Sequence, residues 1–150
     1  MIINSGQINT IWKNRPIPRQ TIIVDATYET VDRNLIIEKI FPLYWRWLSA
    51  MRLTRWAHRW DCDNFAEAFK VFSDGFFAAN IDSNAEALAI GMIHYNSNSR
   101  NENGTEGPHA INIAISMDNN TLTPLFLEPQ NGKIITLKPE EYNSIWMIYM

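Results

Sequence analysis

The spacing of apolar residues changes about half-way along the chain. Between Arg33 and Phe72 they recur every three or four positions, the period of a helix with one buried face. Pro42 interrupts this stretch and predicts two helical pieces, about 33–41 and 42–60. In the second piece Leu43, Trp47, Ala50, Met51 and Leu53 share much of one face. A further helix is expected over 62–73, where Phe65, Ala68, Phe69 and Phe72 fall on one face and Asp74-Gly75 supplies a stop.

Beyond Ala87 the apolar residues come in short runs. Residues 87–95, 109–115, 125–128, 133–137 and 145–149 read as strands, the first in preference to a helix interrupted by Gly91. Asn96 to Gly107 is a polar loop, Asp118-Asn119-Asn120 a turn, and Asn131-Gly132 a two-residue hairpin signal. Before Arg33 the pattern is weak. Thr21 to Asp25 is a short β-branched run, and residues 1–20, with Arg15-Pro16-Ile17-Pro18, read as an extended arm. The expected architecture is α+β, N-terminal helices packed on a C-terminal antiparallel sheet, in one domain over 1–150.

Composition adds limits. At 150 residues and 46% hydrophobic content the chain can bury a core without metals or disulfides. No apolar stretch approaches the roughly 18 residues of a membrane span, the first residues lack the basic-then-apolar order of a leader, and the single cysteine suits a reducing compartment. A cytoplasmic location, with no membrane contact, is the expectation. The net charge of −3 conceals a division: residues 1–60 hold nine Lys/Arg against four Asp/Glu, and residues 61–150 hold four against twelve. The sign changes at Arg59-Trp60-Asp61-Cys62-Asp63, so Cys62 sits on the boundary.

Cys62 also opens the expected 62–73 helix, where unpaired backbone N–H groups favour negative charge on sulfur. Asp61 and Asp63 oppose that effect unless Asp61 is used as the helix cap. Downstream, a hairpin about residues 118–120 sets Glu128 opposite Ala110, next to His109. Cys62, His109 and Glu128 thus form a workable nucleophile, base and orienter.

Three segments resemble the papain-like cysteine superfamily in its transglutaminase-like and bacterial papain-fold branches. They are Asp61-Cys62-Asp63-Asn64-Phe65-Ala66, Gly107-Pro108-His109-Ala110-Ile111-Asn112 and Phe126-Leu127-Glu128-Pro129-Gln130-Asn131-Gly132, which span about 60–137. The resemblance implies a papain-like core and a small cysteine hydrolase or acyltransferase: a thiol protease, amidase or protein glutaminase acting on a protein or peptide substrate. In that scheme Cys62 attacks the carbonyl, His109 moves the proton and Glu128 holds the ring. Glu128 stands where relatives more often have Asp or Asn, and no glutamine precedes Cys62 to supply an oxyanion donor. Trp56 or Trp60 is the substitute that transglutaminases suggest.

Other readings are weaker. His58, Asp61, Cys62 and Asp63 lack metal-ligand spacing, so no metal and no cofactor is expected. Arg46, Arg52, Arg55 and Arg59 interleave with Trp45, Trp47, Trp56 and Trp60, a mixture found in nucleic-acid binders. A sequence pI near 5.6 and the helical spacing favour core tryptophans and solvated arginines instead. The alternative to an enzyme is an accessory protein: a non-catalytic domain on the same fold that binds a partner protein through an Arg/Trp-rich helix, with Arg52, Arg55 and Arg59 as its contacts.

Overall fold

The structure is a computed structural model and describes residues 1–12, 16–98 and 107–150. Arg15 and residues 99–106 of the expected polar loop lie outside the described residues. In chain order the elements are β1 (Ile2–Asn4), α1 (Ser5–Ile8), β2 (Gln20–Ile22), β3 (Thr27–Glu29), α2 (Phe41–Met51), α3 (Cys62–Asn80), β4 (Ala87–Leu88), β5 (Ile90–Ser97), β6 (Gly107–Asp118), β7 (Thr121–Glu128), β8 (Lys133–Ile135), α4 (Pro139–Asn143) and β9 (Met147–Tyr149). A 3-10 turn follows α1, and a π-helix over Leu35–Ile40 leads into α2.

The main sheet runs β2-β9-β5-β6-β7-β8, and a smaller one runs β1-β3-β4. Both are mixed, because β2 pairs parallel with β9 and β3 parallel with β4. Helices therefore sit between strands at both ends of the chain, which corrects the expectation of N-terminal helices on a purely antiparallel C-terminal sheet. The extended arm is corrected too. Ile3, Ile8 and Trp12 are buried, and β1 pairs with β3. Three-residue strands held by distant partners leave too short a pattern to read.

The helices depart from expectation for local reasons. The division expected at Pro42 appears as a change of helix type, from the π-helix Leu35–Ile40 to α2, with Pro42 in the first turn of α2 where a missing N–H is best tolerated. The turn before it widens, with the Phe41 N–H reaching the Ile36 carbonyl. α2 then ends at Met51, because Arg52 adopts a left-handed conformation (φ 60°) and donates its N–H to Leu48 and Ser49. Arg55 and Arg59 consequently lie in the connection to α3, so the Arg/Trp-rich helix does not exist as a continuous face. α3 runs through Gly75 to Asn80, since Phe65, Phe69, Ser73 and Phe77 continue one buried row across it. Burying Phe77 offsets the roughly 1 kcal/mol that glycine costs inside a helix.

Between β6 and β7, Asn119 and Asn120 both take positive φ and close the turn. The register sets Asn112 opposite Leu127, one residue from the Ala110–Glu128 pairing expected. That slip decides which side Glu128 faces. Continued, it brings Glu128 level with Ile111, on the same side of the strand as His109.

Candidate functional site

Cys62 is the first residue of α3. Asp61 caps the helix in a reciprocal box: its side chain accepts the Asn64 N–H, and its own N–H donates to Asn64 Oδ1 at 3.2 Å. The carboxyl of Asp61 is raised above the usual range, chiefly by a hydrogen bond shared with Asp63 and secondly by burial. The acidic neighbours of Cys62 are thus partly engaged with each other and with the helix end.

His109 and Glu128 are almost fully buried, at 1% and 5% exposure, while Cys62 is half-buried. His109 Nε2 and Glu128 Oε2 lie 2.8 Å apart. The other carboxylate oxygen of Glu128 accepts the Gln130 N–H at 3.3 Å, and the Gly132 N–H donates to its carbonyl at 2.8 Å. Gly132 has φ 72°, and a Cβ there would meet the Phe41 ring at 2.3 Å, so the turn holding Glu128 is seated against α2. With Nε2 on the carboxylate, Nδ1 is the ring nitrogen left for Cys62. Among the described residues it has no partner of full hydrogen-bond geometry, while the Cys62 side chain is close enough to interact with the ring electrostatically.

Burial on its own would lower the His109 pKa, but interaction with Cys62 and then with Glu128 outweighs it and lifts the imidazolium to about 9. His94, also nearby, moves the other way. Burial lowers it, the charge of Asp63 pulls it up and that of His109 pushes it down. The two histidines are therefore shifted in opposite directions.

Residues that the sequence reading missed hold this geometry. Asn112 is buried, and its Nδ2 donates to the Ala66 carbonyl of α3 at 2.8 Å and to the Gly91 carbonyl of β5 at 3.0 Å, tying helix to sheet just inside Cys62. Tyr44 donates from its hydroxyl to the Phe65 carbonyl at 3.1 Å. Its pKa is raised by burial and then by the charge of Glu128. Tyr95 packs edge-on to the His109 ring, with centroids 5.8 Å apart. A polar residue inside an apolar strand, as Asn112 is, was the one available signal.

The remaining sequence candidates separate from this cluster. Trp60 packs edge-on against Phe65 and has a buried Nε1 without an acceptor among the described residues, while Trp56 is exposed. Arg52, Arg55 and Arg59 are exposed. No group of three or more metal-ligating side chains occurs among the described residues, nor does any helix there have the length and apolarity to cross a membrane.

No family model matches the chain, and neither does any curated protein. Solved structures do. One, described as a PSL1a–E64 complex, superposes with a TM-score of 0.71 at 22% identity, covering 99% of this chain and 51% of that one. Another, Polyporus squamosus lectin bound to the human-type influenza-binding epitope Neu5Aca2-6Galb1-4GlcNAc, gives 0.70 at 21% identity, covering 99% and 49%. The fold is shared with these chains, and the chain spans about half the length of each. This likeness replaces the papain-like and transglutaminase-like assignment, which rested on three short segments. The reading as a cysteine hydrolase or acyltransferase on amides goes with it, and so does the accessory-protein alternative on that fold. The expected protein or peptide substrate is corrected as well, since the ligand named for the lectin is a glycan.

Proposed function

We propose that Cys62, His109 and Glu128 form a reactive-thiol site that binds an electrophilic small ligand covalently. The 2.8 Å contact between His109 and Glu128 beside Cys62 carries this reading, because it fixes the ring and keeps it protonated next to the sulfur. With an epoxide, the Cys62 thiolate attacks a ring carbon. A C–S bond forms as the C–O bond breaks, and the His109 imidazolium gives its proton to the leaving oxygen. The naming of E64, an epoxysuccinyl electrophile, with one of the similar structures supports this choice of ligand class. A lone thiol of this kind needs a compartment that keeps it reduced, and the cytoplasm is the one we assign.

The test is mass spectrometry of the folded chain after brief exposure to E64 at pH 7. One adduct on Cys62 is expected, absent in Cys62→Ser and slowed about 100-fold in His109→Ala, within the range for loss of a positioned proton donor. An unmodified Cys62, or equal rates in the folded and urea-unfolded chain, would sink the proposal.

A second reading, glycan binding, is favoured by the ligand named for the lectin. A cleft of about 470 Å³ lined by Arg19, Asn96, Asn143, Ser144 and Trp146 has fitting chemistry: an indole for a sugar's apolar face, amides for hydroxyls and a guanidinium for a carboxylate. Calorimetric titration with the sialylated trisaccharide tests it. Heat that disappears in Trp146→Ala supports this reading, and no heat at millimolar sugar removes it.

A further inference from the structure

On β5 the side chains of Met92, His94 and Asn96 share one face of the sheet. The register sets His94 opposite Ala110 of β6 on one side and opposite Met147 of β9 on the other. Met147 and Tyr149 also wall a separate cavity of about 360 Å³ beside α3. Cys62 packs against the small cluster of Ala66, Met92 and Ala110. Cross-strand partners on one face have Cβ atoms about 5 Å apart, so His94 is the next side chain beyond the cluster on which Cys62 rests.

The first turn of α3 faces the same ring. Asp63, adjacent to Cys62, draws a proton toward His94, and His109 of β6 opposes one. No charge comes from β9 at this point, since Met147 lies opposite and the Trp146 ring, just before the strand, is 5.9 Å from the imidazole. Two histidines thus border one cysteine, and they differ in what is left for a ligand. His109 is buried and held by Glu128. His94 is half-buried, and its ring makes no hydrogen bond with another described residue.

We infer that His94 is a specificity-determining residue of the Cys62 site, and that its ring receives a carboxylate carried by the electrophile next to the carbon under attack. This rests on the reactive-thiol reading. An imidazolium there adds a second cation to that of His109, on the side of the sulfur open to solvent.

The test uses two reagents of nearly equal size, iodoacetate, which carries the carboxylate, and iodoacetamide, its neutral counterpart. With either, the Cys62 thiolate attacks the methylene carbon, a C–S bond forms as the C–I bond breaks, and iodide leaves. The ratio of the two rates cancels the ionisation of the thiol. Between about pH 5 and pH 7.5 His109 stays charged, so its pull on iodoacetate is constant. Over that span the ratio is expected to rise about 3- to 5-fold as pH falls, the effect of one partly exposed ion pair. It should stay flat in His94→Gln. In Asp61→Asn it should still rise, because asparagine keeps the helix cap while removing the neighbouring carboxyl that is raised above its usual range.

The two adducts give a second measurement, independent of rate. S-carboxymethylated Cys62 places a carboxylate where the ligand's would lie, and S-carbamidomethylated Cys62 places an amide there. By NMR titration the His94 pKa should be about one unit higher in the first. A flat ratio in the unaltered chain, a rise that survives His94→Gln, or equal His94 titrations in the two adducts overturns the assignment and leaves the thiol site standing. Failure of both reagents to modify folded Cys62 overturns the assignment and the thiol reading together.

Discussion

At the junction of α3 with β6 and β7, polar side chains are buried and each is held in place: His109 by Glu128, Glu128 by the Gln130 N–H, and Asn112 between two carbonyls. Residues 52–61, leading into the same helix, present the opposite arrangement. Arg52, Arg55 and Arg59 stand in solvent without an ion pair among the described residues, and the Ala57–Trp60 turn closes on its own backbone. Both regions are dense in the residue types associated with function. Only the first fixes them, and fixing is what chemistry at a defined atom requires.

The contrast is broken most severely at Asn112. Asn112→Leu leaves the Ala66 and Gly91 carbonyls buried without their donor and is expected to cost about 3 kcal/mol in urea unfolding, with slower alkylation of Cys62. Gly132→Ala comes next. Its Cβ collides with Phe41 and the residue must keep a positive φ, so a loss of about 2 kcal/mol by the same measurement is expected.

Glu128→Gln tests the charge. By NMR titration His109 should fall from about 9 toward its ordinary 6.5. Because the folded-state value is raised, the stabilisation it brings is fully present below pH 6.5 and is lost as pH rises through 9. The unaltered chain should therefore lose stability across that window, and the variant should lose less. The triple variant Arg52→Ala/Arg55→Ala/Arg59→Ala should do least, moving the melting temperature by under about 2 °C and leaving the Cys62 alkylation rate unchanged. A larger effect would mean that the arginine segment does more than carry charge into solvent.

Much of the site was legible because its members lie on strongly patterned elements. Asp61 and Asn64 announce the start of α3, and Asn119 with Asn120 closes the hairpin that sets His109 beside Glu128. The one-residue error in register came from centring the turn on Asn119, when the pair Asn119-Asn120 forms it. The helix end at Met51 was hidden because its left-handed cap is an arginine and not a glycine. Gly75 misled in the other direction: exposed, with nothing near its missing side chain, it marks no stop. The fold assignment failed for a different reason. A cysteine at a helix start followed by histidine and acid on strands is a local arrangement, whereas β1, β2, β3 and β9 are joined by pairings between residues far apart in sequence, which local pattern does not carry.

The β2–β9 pairing has a kinetic side. It joins Gln20–Ile22 to Met147–Tyr149, so this edge of the sheet forms only after nearly the whole chain has been brought together, whereas the β6–β7 hairpin needs only a two-residue turn. β9 is also three residues long, so its amide protons are expected to exchange faster than those of the twelve-residue β6 in a hydrogen-exchange measurement. Met147 and Tyr149 ride on that strand. The wall that Met147 and Tyr149 give the cavity beside α3 therefore depends on a pairing that spans most of the chain.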